Sequence, residues 1–226
     1  MRLRVLGSGS SGNCYLLENK EEALIVEAGV RFKDIKVALK FNTRKIAGVL
    51  VSHGHSDHAS YVNDYLRAGI PVLMPYINDG KLKYTTKFGR FVVSVFPLAH
   101  DVPCYGFYVQ HPDFGSLVYA SDTEYVKYRF SGVNHVMIEA NYDVGRIDDD
   151  LPNREHIIRG HMSIQTAKGF VESNDGPNLK TVTLIHLSDG NSNEKEFLEI
   201  TKEATKYGAI VRAADKGMEF ELQKGD

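Results

Sequence analysis

Apolar positions along the chain gather into short runs bounded by polar or glycine-containing turns, the spacing of strands buried on one or both faces. An early group comprises Leu3 to Leu6, Cys14 to Glu18, Ala23 to Val26, Gly48 to Val51 and Pro71 to Met74. A second comprises Phe91 to Leu98, Tyr105 to Gln110, Leu117 to Ala120, Val136 to Glu139, Thr181 to Ile185 and Ala209 to Ala213. Lys33 to Phe41, Asp57 to Arg67, Ile164 to Glu172 and Glu194 to Tyr207 carry the apolar period of amphipathic helices, and Ser163 stands where it can cap one of them. The pattern predicts an α/β fold, with strands in two groups and helices between and after them.

Polar residues that interrupt or end these runs carry the chemistry. His53-Gly54-His55-Ser56-Asp57-His58 follows the apolar run Ala47 to Val51. Imidazole and carboxylate are the ligands that zinc and its first-row neighbours prefer. His53 and His55 alternate along extended backbone and can face the same way, whereas Asp57 and His58 fall where a helix should begin. That geometry suits two adjacent cations better than one. His100 follows the run Phe91 to Leu98, Asp122 follows Leu117 to Ala120, and His186 lies late in Val182 to Leu187. Singly, each is explained by a loop hydrogen bond. Together, polar residues at the C-terminal ends of several strands describe one converging site.

Gly7, Gly9 and Gly12 spell a dinucleotide-binding fingerprint, but that motif needs a helix to open after the last glycine. Here the next residues read as two hairpinned strands, leaving no crossover helix. The glycines serve either a purely structural tight turn or a turn that passes close to the metal site, where Ser10 and Asn13 could meet substrate.

Composition narrows the class. With 226 residues and 42% hydrophobic content the chain can bury a full core and reads as one domain, 1–226. No apolar run approaches the roughly 20 residues of a membrane helix, and no signal-peptide pattern opens the sequence. Only Cys14 and Cys104 are present, in no metal-like spacing, which fits small core hydrophobes in a reducing cytosol. The net charge of −2 disfavours long nucleic acid as the partner. His111, His135 and His156 read as residues of polar loops.

The order His53/His55/Asp57/His58, His100, Asp122, His186 resembles the metallo-β-lactamase-fold hydrolases over nearly the whole chain. The resemblance implies the αββα sandwich, two mixed sheets flanked by helices, and two divalent metals, zinc or manganese. His53, His55 and His100 would hold the first. Asp57, His58 and His186 would hold the second, with Asp122 bridging. Two close cations bring a shared water's deprotonation near neutral pH, which supplies a nucleophile.

Leu6 to Asn13, Ile138 to Asp143, Gly160 to Ser163 and His186 to Asn191 further resemble the YycJ-like nucleases, relatives of tRNase Z, and the phage anti-Pycsar phosphodiesterases, which destroy cyclic pyrimidine mononucleotides. Both groups cut phosphodiesters. The resemblance implies Asp57 and His161 as catalytic residues, His161 being the acid for the leaving oxygen. Asn141, Tyr142 and Ser188, with Ser10 and Asn13, are candidates to contact substrate.

Two departures matter. Glu27 stands where the family often has Asp in Asp-x-Gly, and residues 101–121 leave no room for the long arm of the tRNA-processing branch. The leading expectation is therefore a phosphodiesterase that opens 3′,5′-cyclic mononucleotides in the cytosol, that of a host cell if phage-encoded, and so defeats cyclic-nucleotide signalling. A YycJ-like exonuclease is the alternative. A ligand-binding sensor and a lactonase or thioesterase are the remaining classes. A homodimer is the expected assembly, and no membrane partner is expected.

Overall fold

The computed structural model of the protein describes residues 1–77, 85–147 and 154–225, with the side chain of His156 outside the described set. One sheet contains β1 (Arg2–Gly7), β2 (Cys14–Glu18), β3 (Ala23–Val26), β4 (Ile46–Leu50), β5 (Val72–Leu73) and β13 (Glu219–Glu221), in the order β13-β1-β2-β3-β4-β5. The other contains β6 (Thr85–Phe88), β7 (Phe91–Leu98), β8 (Cys104–His111), β9 (Gly115–Ala120), β10 (His135–Glu139), β11 (Thr181–Ile185) and β12 (Ile210–Ala213), in the order β12-β11-β10-β9-β8-β7-β6. Both sheets are mixed. β1 to β3 pair antiparallel and β3 to β5 parallel; β6 to β9 pair antiparallel and β9 to β12 parallel.

Helices cover both outer faces: α1 (Phe32–Ala38), α2 (Ser56–Ala59) and α3 (Val62–Arg67) on the first sheet, and α4 (Arg154–Gly160), α5 (Ile164–Asn174) and α6 (Glu194–Glu203) on the second. The central strands are apolar on successive residues because both of their faces are covered. Leu3, Val5, Tyr15, Leu17, Val26 and Leu50 meet Val93, Val95, Phe107, Val109, Tyr119 and Ile185 between the sheets. Leu16, Ile25 and Val49 turn outward onto Ile35, Leu39, Val62 and Tyr65. On the other flank Val118, Val136, Ile138 and Leu184 turn onto Ile164, Val171 and Phe197. Ser163 caps α5 by accepting from Thr166 N, as its position in the sequence predicts. Cys14 and Cys104 are both free and buried, in keeping with a core role.

Several elements differ from the sequence pattern. Lys33 to Phe41 is helical only to Ala38, and Lys40 and Phe41 adopt positive φ. Asp57 to Arg67 is two short helices, broken where Tyr61 N donates to Ala28 O (3.0 Å) and pins the chain to the β3–α1 turn. Glu194 to Tyr207 stops at Glu203. The edge strands β6 and β13 and the short helix α4 carry too few apolar residues to announce themselves, as is usual for polar sheet edges. His111 and His135 are not loop residues: they end β8 and open β10, and both are buried. His111 Nε2 lies 3.0 Å from Glu22 Oε1.

His135 ties the chain's late segment to the sheet. Its Nε2 donates to Gln223 O (3.1 Å), so its Nδ1 accepts from Thr181 Oγ1 (2.8 Å) in the neutral ring. Burial pushes its pKa down to about 4, against the hydrogen bond to Gln223 O, which raises it. The unfolded chain therefore binds this proton first, and the stability tied to the neutral ring is complete above about pH 6.5 and lost as pH falls toward 4. In metal-free protein, His135→Gln is expected to lose about 2 kcal/mol less than wild type between roughly pH 6.5 and 5, read from urea unfolding. Parallel pH profiles for the two proteins would contradict this.

Candidate metal centre

β4 delivers the His-rich segment from its C-terminal end. Ser52 N donates to Glu27 Oε2 (3.2 Å), and Ser52 Oγ lies 2.9 Å from His53 Nδ1, which fixes the His53 ring. His53, His55 and His100 converge with ring centroids 4.6 to 5.0 Å apart, and their ligand nitrogens lie within 4.8 Å of one another. A second group, Asp57, His58, Asp122 and His186, meets the same limit. His58 Nε2 lies 2.9 Å from Asp122 Oδ2 and 3.2 Å from Asp57 Oδ2, while His186 Nε2 lies 3.4 Å from Asp57 Oδ2. The seven residues read from the sequence as ligands are thus brought together in two adjoining donor sets.

Whether these sets suit cations is tested by what the donors lack. His53 Nε2 and His186 Nε2 are buried with no hydrogen-bond partner among the described residues. A buried polar atom left unpaired costs about 1 to 3 kcal/mol, so the two together call for an electrophile. Burial and the neighbouring His58 push the His53 pKa down to about 2, which keeps its ring a neutral donor. Burial alone would also lower His186, but Asp122, Asp57 and Glu139 outweigh it and raise the pKa to about 10. The carboxylates therefore surround a place that needs positive charge, supplied by protons or, more usefully, by metal. The donor sets fit two divalent cations.

Backbone strain is concentrated here. Glu27, Asp122 and His186 adopt φ of 69°, 53° and 55°. Left-handed backbone in non-glycine residues costs of order 1 kcal/mol or more each and persists where the surroundings enforce it. Glu27, the longer carboxylate in the Asp-x-Gly position, reaches both neighbouring loops: Oε2 holds Ser52 N, and Oε1 lies 3.4 Å from His58 Nδ1.

Glu139, which pattern reading did not single out, ends β10 fully buried. Its Oε2 accepts from Thr123 N (3.0 Å) and Met162 N (3.2 Å); its Oε1 lies 2.7 Å from His161 Nδ1 and 3.1 Å from His186 Nδ1. One carboxylate thus orients the candidate acid and a candidate ligand together. Burial disfavours the His161 imidazolium, but the hydrogen bond and charge of Glu139 overcome this and raise the pKa above the ordinary histidine value. The available signal was a lone carboxylate closing an apolar strand, Val136 to Ile138.

The predicted substrate contacts divide. Ser10 and Ser188 line a cavity of about 520 Å3 that opens beside Asp57, Asp122, His161 and His186. Asn141 also borders it, but its Nδ2 donates to His186 O (2.9 Å) and so holds that ligand's backbone. Tyr142 is buried with Ile147 and Ile157 and does not line the cavity. Asn13 is fully buried beneath the first turn and contacts Asp57 and His58 instead. Both corrections have one reason: sequence adjacency to the site does not fix which way a side chain faces.

The glycines of that turn are required for close approach. A Cβ on Gly7 would lie 2.2 Å from Gly12 O, one on Gly12 2.4 Å from Gly29 O, and one on Gly29 1.7 Å from Asp57 O. Gly7 and Gly12 let the first turn fold tightly and press on Gly29, and Gly29, outside that turn, presses on the ligand loop, so the contacts serve both readings of the motif.

Comparison with known proteins agrees with this geometry. The model of the metallo-β-lactamase superfamily matches residues 7–103. An exodeoxyribonuclease of Streptococcus pneumoniae, WalJ, is 31% identical over 87% of this chain and 85% of its own. The exodeoxyribonuclease YycJ of Bacillus anthracis is 28% identical over 100% of this chain and 96% of its own. The crystal structure of the metallo-β-lactamase fold protein YhfI from Bacillus subtilis superposes with a TM-score of 0.71 at 16% identity, covering 97% of this chain and 99% of that one. The chain belongs to the metallo-β-lactamase superfamily of hydrolases, in its phosphodiesterase and nuclease branch.

Chelator-treated protein is expected to take up two equivalents of zinc or manganese and His100→Ala only one, measured by elemental analysis after desalting. Two tightly held equivalents in His100→Ala would contradict the assignment of the donor sets.

Proposed function

We propose that the protein hydrolyses 3′,5′-cyclic mononucleotides, cCMP and cUMP foremost and cAMP and cGMP as further substrates, to linear monophosphates. The observation that carries this is the cavity beside the donor sets. At about 520 Å3 it suits one nucleotide, and no Lys or Arg is among its described lining residues. A track for a polynucleotide backbone would present several cations. A single phosphodiester needs only the charge of two divalent cations, which the His53–His55–His100 and Asp57–His58–Asp122–His186 sets would hold and which would lower the pKa of a bound water to give the nucleophile. Removal of these signals would blunt a defence that relies on them.

This chain's residues do the rest. Asp122 belongs to the second donor set and its charge also reaches His53 and His100 of the first, so it would offset part of the charge that bound cations bring. His161, held by Glu139 at Nδ1 in a way that favours its protonated ring, faces the same cavity and is placed to protonate the departing ribose oxygen. Ser10 and Ser188 offer uncharged hydrogen bonds to sugar or base.

A second reading, hydrolysis of DNA ends, is favoured by the Streptococcus pneumoniae and Bacillus anthracis relatives, both exodeoxyribonucleases. The lack of Lys and Arg among the described lining residues and the net charge of −2 favour the smaller substrate.

The test is turnover of the four 3′,5′-cyclic mononucleotides beside a 5′-phosphorylated single-stranded oligonucleotide, with zinc or manganese present. The cyclic nucleotides should open and the oligonucleotide remain intact; a shortened oligonucleotide with intact cyclic nucleotides would establish the second reading. His161→Ala should lower kcat by about 10² to 10⁴ with KM nearly unchanged, as expected for loss of a proton donor. Asp57→Ala should leave a folded protein without turnover, checked by circular dichroism alongside the assay.

A further inference from the structure

Asn13 and Tyr15 are fully buried and Ser8 borders the cavity, and a continuous hydrogen-bond chain joins them to three residues of the second donor set. Asn13 Oδ1 must accept from Gly9 N (2.8 Å), because a backbone N–H can only donate. That fixes the orientation of the amide. Its Nδ2 then faces the donor set, 3.2 Å from Asp57 Oδ2 and 2.9 Å from His58 Nε2. Asn13 Oδ1 also accepts from Tyr15 Oη (3.3 Å), which commits the single phenolic hydrogen. Ser8 Oγ, 2.8 Å from Tyr15 Oη, must therefore donate to it. The Ser8 oxygen in turn accepts from His186 N (3.1 Å). Every hydrogen in the chain has one direction, and each end of the chain is a residue of the same donor set.

The route matters because Asp57 and His58 come from α2, at the end of the first sheet, while His186 follows β11 in the second. His186 also holds a left-handed backbone, with φ of 55°, and relaxation there would swing its imidazole away. Ser8 grips its backbone N–H from one side while Asn141 grips its carbonyl from the other. The Asn13 amide holds Asp57 Oδ2, the same oxygen that faces His58 Nε2 and His186 Nε2. Asn13 and Tyr15 are fully buried, so water does not compete for these bonds.

We infer that Asn13, Tyr15 and Ser8 form a positioning chain that sets the geometry of the Asp57–His58–His186 group and, with it, the affinity for the second divalent cation. The chain works on the donor set, not on substrate, and leaves the His53–His55–His100 group untouched.

The test is a zinc titration of metal-free, full-length protein against a chromogenic chelator, and it needs no substrate, so its failure is separate from failure of the phosphodiesterase reading. His100→Ala identifies which binding event belongs to the second set. Tyr15→Phe keeps the buried ring and removes only the hydroxyl; it should weaken the second event by roughly tenfold and leave the first unchanged. Asn13→Ala should weaken the second event by roughly ten- to hundredfold. Ser8→Ala added to Tyr15→Phe should cost little more, since both break one chain. Wild-type affinity for both events in folded Asn13→Ala, or in Tyr15→Phe where Asn13→Ala does not fold, would overturn the inference. Equal weakening of both events in Tyr15→Phe would overturn it too, because that is the mark of general loosening.

Discussion

The structure depends on one electrostatic constraint: carboxylates and imidazoles crowded into a buried space, where each is tolerable only with positive charge between them. Asp57, Asp122, Glu27 and Glu139 stand within contact of His58, His186 or His161, and three of the four are almost wholly buried. Unpaired charge in such surroundings costs several kcal/mol per group. The carboxylates favour protons on His58 and His186, and divalent cations would relieve the crowding better because they would also satisfy the orphaned imidazole nitrogens. Metal binding and the stability of this end of the sandwich are therefore one quantity.

The sandwich exists to hold these groups at the required spacing. Parallel strands β3 to β5 and β9 to β11 place successive C-terminal ends side by side, and Glu27, His53, Asp122, Glu139 and His186 each lie at or just after such an end. Three of these residues or their neighbours need left-handed backbone to aim inward, and that strain is held in place by the two flanking layers of packed helices. Support comes as hydrogen bonds from buried polar side chains: Ser52 to His53, Asn141 to His186, Asn13 to Asp57, Glu139 to His161 and His186.

Much of this was legible in the amino-acid order, for physical reasons. Ligand histidines and aspartates interrupt apolar runs, so His53, His100, Asp122 and His186 stood out against strands that bury both faces. The central strands were readable for the same reason, while β6 and β13 were hidden by polar edge composition. The break after α2 was invisible because it comes from the tertiary bond between Tyr61 N and Ala28 O. Facing was the harder matter. Asn13 and Tyr142 are adjacent to the site along the chain but turn into protein, and Glu139 and Ser8 act through partners distant in sequence.

The central claim is that turnover belongs to both donor sets acting together on one phosphodiester. The most direct measurement is the rate of 3′,5′-cyclic CMP hydrolysis by chelator-stripped protein as zinc or manganese is restored stepwise. The account predicts a silent protein up to the first equivalent, activity that rises with the second, and saturation at two. A full rate with a single equivalent bound, or undiminished hydrolysis in excess chelator, would contradict it.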